Sequence, residues 1–154
     1  MAWMTLALRK QTLKAQISSL NNEDIQLSRK VRAVHRNLSY EQSVFSAEKK
    51  LELRDAKSQY MAIRNQRPDT DSEEYEQWKV EYSEAQEDYQ AQKQDIEDYY
   101  DDLTEELEQE AQDEEDALQE EITRTETQRD AMNAELQAIT DQIKTEIEGS
   151  AIKF

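Results

Sequence analysis

The sequence predicts an all-α protein, a long antiparallel two-helix coiled-coil hairpin. Three features carry that expectation. Good helix formers dominate a chain of 154 residues that holds Gly 1 and Pro 1, too few turn residues for a globular fold of many elements. Apolar side chains recur at alternating steps of four and three, the spacing of a coiled-coil seam. The lone proline stands near the middle, where it must end a helix. Charged residues make up 36% of the chain, a level also met in disorder, and the regular apolar spacing decides for helices.

The first helix is expected over about residues 3–66. Leu6, Leu13, Leu20, Leu27 and Val34 fall seven apart, and Ile17, Val31, Leu38 and Phe45 fill the alternate seam positions. Lys10 and Asp24 interrupt the series, which shifts after Phe45 and resumes as Leu53, Ala56, Tyr60 and Ile63. The stretch "SSLNNED" (Ser18 to Asp24) is rich in helix-capping residues and admits a break or hydrated hinge near Asn21.

A turn at 67–70 follows. Pro68 lacks a backbone donor and pushes Arg67 away from helical geometry. Thr70 and Glu73 match a capping box, with Asp69 and Asp71 adding favourable charge at the new N-terminus. The second helix is expected over about 71–148, along Tyr75, Trp78, Tyr82, Ala85, Tyr89, Ile96, Tyr99 and Leu103. Steps of four from Leu103 to Leu107 to Ala111 mark a stutter, and Leu118, Ile122, Met132, Leu136, Ile139 and Ile143 form a third run. Gly149 stands just past the last apolar position, as a helix stop would, leaving a short tail at 149–154. The chain is thus one domain, 1–154, of two helices roughly 95 and 115 Å long at 1.5 Å per residue. So short a connection implies antiparallel neighbours.

The charge layout agrees. Residues 1–67 hold thirteen Lys/Arg against six Asp/Glu, while residues 68–154 hold six against thirty. From Asp95 to Thr123 there are fifteen carboxylates and no Lys or Arg. Folding at Pro68 sets residue i near residue 136 − i. The basic run "RKVRAVHR" then lies beside "DLTEELEQ". Arg29, Lys30, Arg32 and Arg36 are accordingly expected to pair with Asp101, Asp102, Glu105, Glu106 and Glu108. Such exposed pairs select orientation more than they stabilise, at roughly 0–1 kcal/mol each. Much of the acid is left over for solvent or a partner.

Folding at Pro68 also brings residue 3 level with about 133, which leaves 134–154 projecting. Trp3, Met4, Leu6, Leu8, Leu136, Ile139, Ile143, Ile147 and Phe154 then gather at one end with little to bury them, as at an association site.

Chemistry is not expected. The single histidine, His35, supplies neither a metal pair nor a catalytic triad with a spare. "DTDSEEYE" from Asp69 has the alternating acids of a calcium loop but lacks its central glycine, and Val80 replaces the final acid. One glycine cannot make a phosphate loop. No cofactor or metal is therefore expected, and no enzyme. The formal charge of −17 opposes nucleic acid, although "RKVRAVHR" looks like a basic region. No apolar run reaches the ~18 residues of a membrane span. The start "MAWMTLALRK" carries its positive charge after its apolar patch, unlike a secretory signal, which leaves location open between the cytoplasm and a signal-independent route.

The opening "MTLALRKQTLKAQISSLNNEDIQLS" and the ending "RDAMNAELQAITDQIKTEIEGSAIKF" resemble coiled-coil proteins of bacteria. The helix–turn–helix plan with associating ends resembles filament and needle subunits of secretion machines. It is also similar to stalk proteins of flagellar and type III export systems and to small helical virion proteins of tailed phages. That resemblance of pattern implies a protein partner, as a homo-oligomer or a component of a larger assembly, and no site residue. The expected role is a structural subunit joined through its apolar end. The alternative is a stalk or chaperone-like adaptor that binds a protein through the hairpin.

Overall fold

The computed structural model describes the backbone of residues 2–152 and the side chains of residues 2–149. Two helices, α1 (Ala2–Asn65) and α2 (Glu73–Ile152), form the expected all-α hairpin. Their packing divides into two bodies. An open-end body joins residues up to His35 with those from Gln112 onward, and a turn-end body spans Arg36–Ala111.

In the open-end body Leu13, Leu20, Leu27 and Val34 are buried at heptad spacing, along with Ile122, Thr125 and Ile139 of α2. Lys10 and Asp24 do not break α1, which runs through Asn21 without interruption. The hinge that the sequence admits near Asn21 does not form, and Arg129 reaches across from α2 to this patch. One of its guanidinium nitrogens donates to Asn21 Oδ1 at 3.3 Å and to Asp24 Oδ2 at 3.5 Å. The polar patch that sequence alone reads as weak is thereby a cross-helix layer. The second oxygen of Asp24, Oδ1, is buried there without a hydrogen-bond partner in the protein.

In the turn-end body Ala56 and Tyr100 are buried, and Phe45 meets Tyr100 with ring centroids 6.5 Å apart. Tyr100, and not Tyr99, takes the core position, whereas Tyr99 is 57% exposed. The seam steps by four from Ile96 to Tyr100, so the phase that would bury Tyr99 is lost.

The connection is longer than the expected 67–70, covering residues 66–72. Ser72 precedes α2, with its Oγ donating to the Asp69 carbonyl at 2.7 Å while its own carbonyl accepts from Tyr75 N–H at 3.2 Å. Thr70 therefore lies within the turn, and Glu73 is the first helical residue instead of the third. Glu73, Glu74 and Glu76 still place negative charge in the first turn, where it favours the helix dipole. At the end of α1 the Ile63 carbonyl accepts from Gln66 N–H at 3.2 Å and from the Trp78 indole N–H at 2.9 Å. A side chain of α2 thus caps an orphan carbonyl of α1. At the other end Gly149 does not stop the helix, since α2 continues to Ile152 and no glycine has positive φ. Its Cβ position faces open space, so an exposed glycine is carried inside the helix at a cost of about 1 kcal/mol.

The register also departs from 136 − i. Partners across the turn-end body have residue numbers summing to 141 (Ile63–Trp78) up to 152 (Glu52–Tyr100). In the open-end body the sums run from 144 (Arg9–Glu135) to 153 (Asp24–Arg129). The longer turn accounts for part of the shift. The rest arises because Trp78 docks on Ile63, so the first turn of α2 has no counterpart in α1. Arg9 faces Glu135 at 3.0 Å, so Trp3 stands level with residues beyond 133 and the first part of the expected overhang is paired.

Two substitutions separate seam from surface. Leu13→Ala should lower stability by about 2–5 kcal/mol, because Leu13 is fully buried. Leu8→Ala, at a position 66% exposed, should change it by no more than about 0.5 kcal/mol. Urea melts followed by circular dichroism measure both. Arg129→Leu should cost about 1–3 kcal/mol by stranding Asp24. Combining it with Asp24→Leu should recover that loss, as replacing a partly buried ion pair with apolar groups commonly does.

Candidate functional site

The open end carries the candidate association surface. Trp3, Met4 and Leu8 are 41%, 51% and 66% exposed, and Ile147 is 51% exposed. Helical geometry explains the pattern. Leu6 lies on the Leu6–Leu13–Leu20 seam and is half-buried, whereas Leu8, two residues on, points roughly to the opposite side. Met4 and Leu8, four apart, share one strip of surface. On α2, Leu136 and Ile143 are half-buried, and Ile139 is buried at 8%. Ile139 belongs to the core and offers nothing to a partner. Phe154 lies outside the described residues. The structure thus divides the expected set into an exposed part (Trp3, Met4, Leu8, Ile147) and a part the hairpin itself covers.

The expected charge pairing is redistributed by the register. Arg29, Lys30, Arg32 and Arg36 are exposed, as are Asp101, Asp102, Glu105, Glu106 and Glu108. Glu108 accepts a hydrogen bond from the Gln42 amide at 2.9 Å. His35 meets Glu115 at 3.4 Å, so the run Arg29–Arg36 faces the stretch from Glu115 toward Ile122 instead of Asp102–Gln109. Acid still faces base, because Glu120 and Glu121 continue the negative run. Arg9–Glu135 is the bidentate cross-helix pair, with Nε and Nη2 donating to the two oxygens at 3.1 and 3.2 Å. Half-exposed as it is, it contributes at most about 1 kcal/mol.

Sequence reasoning missed the aromatic column near the turn. Tyr75, Trp78 and Tyr82 stack in succession at 5.7 and 5.0 Å, and Tyr60 of α1 stacks on both Tyr82 (5.6 Å) and Tyr89 (5.2 Å). The Tyr60 and Tyr82 hydroxyls lie 2.7 Å apart, and the Gln86 amide donates to Tyr60 at 3.1 Å. Hydrogen bonds from Tyr82 and Gln86 stabilise the Tyr60 phenolate and lower its pKa, while the bond to Tyr60 raises that of Tyr82. The Arg67 guanidinium lies over Tyr75 and Trp78 at 5.7 and 5.8 Å. Aromatic residues at steps of three and four were a readable signal for the seam. Their stacking depends on Tyr60, which the other helix supplies.

Tyr100 is perturbed most. Burial first, then its hydrogen bond to Glu52 and the charges of Glu52 and Glu48, push its pKa up to about 12.

Among the described residues no group of three or more His, Cys, Asp or Glu is disposed to hold a metal ion. No described helix is long and apolar enough to cross a membrane. No protein-family model, curated protein or solved structure matches the chain.

An alkaline titration tests the aromatic assignments. A raised folded-state pKa means that the native protein keeps the Tyr100 proton after the unfolded chain has lost it. The contribution is complete below pH ~10 and is lost as pH rises through about 12. Tyrosinate absorbance should show one late-ionising group near pH 12 that Tyr100→Phe removes, and the variant should lose less stability across that window.

Proposed function

We propose that this chain is a non-enzymatic structural subunit that docks or self-associates through its open end into a larger assembly, such as a filament, a secretion apparatus or a virion layer. The observation that carries the reading is the apolar surface left in water by Trp3, Met4, Leu8 and Ile147 at the end away from the turn. A two-helix packing has no further face to cover it, and exposed apolar clusters of this kind mark association sites. The acidic surface complements this role. A formal charge of −17 keeps separate copies apart at low ionic strength. Apolar contact between ends is therefore favoured when salt screens that repulsion.

A second reading, a stalk or chaperone-like adaptor that binds a protein through the hairpin, is favoured by one observation, the grooved aromatic surface near the turn.

Multi-angle light scattering on the full chain and on a chain ending at Lys144 separates the two. A subunit gives particles that grow with concentration and salt and collapse when Thr145 and the residues after it are removed, with helicity retained. A small species of constant mass in every condition, unchanged by the truncation, would rule out association through this end.

A further inference from the structure

We propose that the interhelical groove of the turn-end body is a docking site for a basic helix of a partner protein, whose arginines enter between α1 and α2. The groove is an open hollow of about 320 Å³ with Ala56 and Ala85 in its lining. These small side chains sit at seam positions where neighbouring turns carry tyrosines, and they leave the space between the helices open. Tyr60 and Tyr89 supply an aromatic wall, and Glu81, Glu84 and Asp88 edge the α2 side. The groove continues past Gln59 and Gln92 into a stretch edged by Glu52, Asp55 and Asp95.

Shape points to a helix. Glu81, Glu84, Asp88 and Asp95 follow steps of three, four and seven, so they share one face of α2. They span about 20 Å along it, some four helical turns. Two adjoining open hollows that share Ala56, Gln59 and Gln92 extend over that length, and such a surface between two packed helices accepts a third helix as an amphipathic helix fills a groove.

Charge points to its sequence. Six carboxylates edge the two stretches, and among the described lining residues there is no lysine or arginine. A basic partner meets complementary potential there, whereas a second copy brings its own charge of −17 and is opposed.

The aromatic column points to arginine. Its turn-proximal end already holds two cations, the Arg67 guanidinium over Tyr75 and Trp78 and the Lys79 ammonium over Tyr75 at 5.2 Å. Either cation is drawn to a tyrosine face, but only a planar guanidinium stacks flat on it while bonding the flanking carboxylates bidentately. This surface belongs to the turn-end body, so its occupancy does not depend on association through the open end.

The test uses the full-length chain and a fluorescein-labelled helical peptide of about 18 residues with arginines at i, i+4, i+7 and i+11 spacing, read by anisotropy. Glu84→Gln with Asp88→Asn should weaken binding roughly tenfold or more. Glu120→Gln with Glu121→Gln, an equal change of charge in the acidic run away from the groove, should weaken it less than about twofold. All four side chains are exposed, so both double variants should keep wild-type helicity. Replacing the peptide arginines with lysine should also weaken binding, and truncation after Lys144 should leave it unchanged. Equal losses in the two double variants would reduce the effect to bulk charge and overturn the proposal, as would absence of peptide binding. Light scattering in which the groove substitutions dissolve an oligomer of the chain would assign the groove to a second copy and also overturn it.

Discussion

Two helices share a single seam, and an apolar side chain that is to leave water must do so along it. This constraint accounts for most of the molecule. The seam takes up Leu13, Leu20, Leu27, Val34, Ala56, Tyr100, Ile122 and Ile139, the first four at heptad spacing. Most of the charged residues, which make up 36% of the chain, face outward. Apolar residues off the seam phase have no cover, which is why Met4 and Leu8 remain exposed beside the fully buried Leu13; Trp3 keeps the seam phase and is exposed in the first turn of α1.

A seam of aliphatic side chains alone would tolerate slippage, because a shift of one heptad repeats nearly the same contacts. Polar and aromatic layers fix the alignment. Arg129 selects Asn21 and Asp24, Gln42 selects Glu108, and the Tyr60 hydroxyl selects Tyr82. The Trp78 indole fastens the turn by capping Ile63. Each layer contributes little to stability, but a slipped register would leave several partly buried polar groups without partners, and that is costly. The residues that interrupt the hydrophobic repeat are thus the ones that specify it.

Much of this architecture was legible in the sequence. Pro68, the scarcity of glycine and the repeat from Leu6 to Val34 led directly to two helices and a turn. The register was not legible, because a proline marks where one helix ends without saying how far the next extends before docking. Local competition set the details. Ser72 displaced Thr70 as the residue before α2, and Gly149 was carried within the helix because nothing required it to turn. Asp24 was visible as an interruption, but its meaning required Arg129, more than a hundred residues away in sequence. For the candidate sites, the sequence gathered the apolar residues of the open end but did not separate exposed Met4 and Leu8 from buried Ile139, because the overlap of the two helices there depends on the register. The groove was not legible either, since it depends on Tyr60, Ala56 and the acids of α2 being brought together by the register.

That register is best measured as a distance. The chain has no cysteine, so Gln42→Cys and Glu108→Cys can each carry a spin label in a sample diluted with unlabelled protein. The hairpin in this register predicts a double electron–electron resonance distance below about 25 Å, with Gln94→Cys in place of Glu108→Cys moving the second label about 20 Å along the helix axis and so lengthening the distance by roughly 10 Å. A shorter distance from position 42 to 94 than to 108 would contradict the register. Loss of coupling within one chain, as expected for a single extended helical path of roughly 100 Å between the two labels, would contradict the hairpin itself.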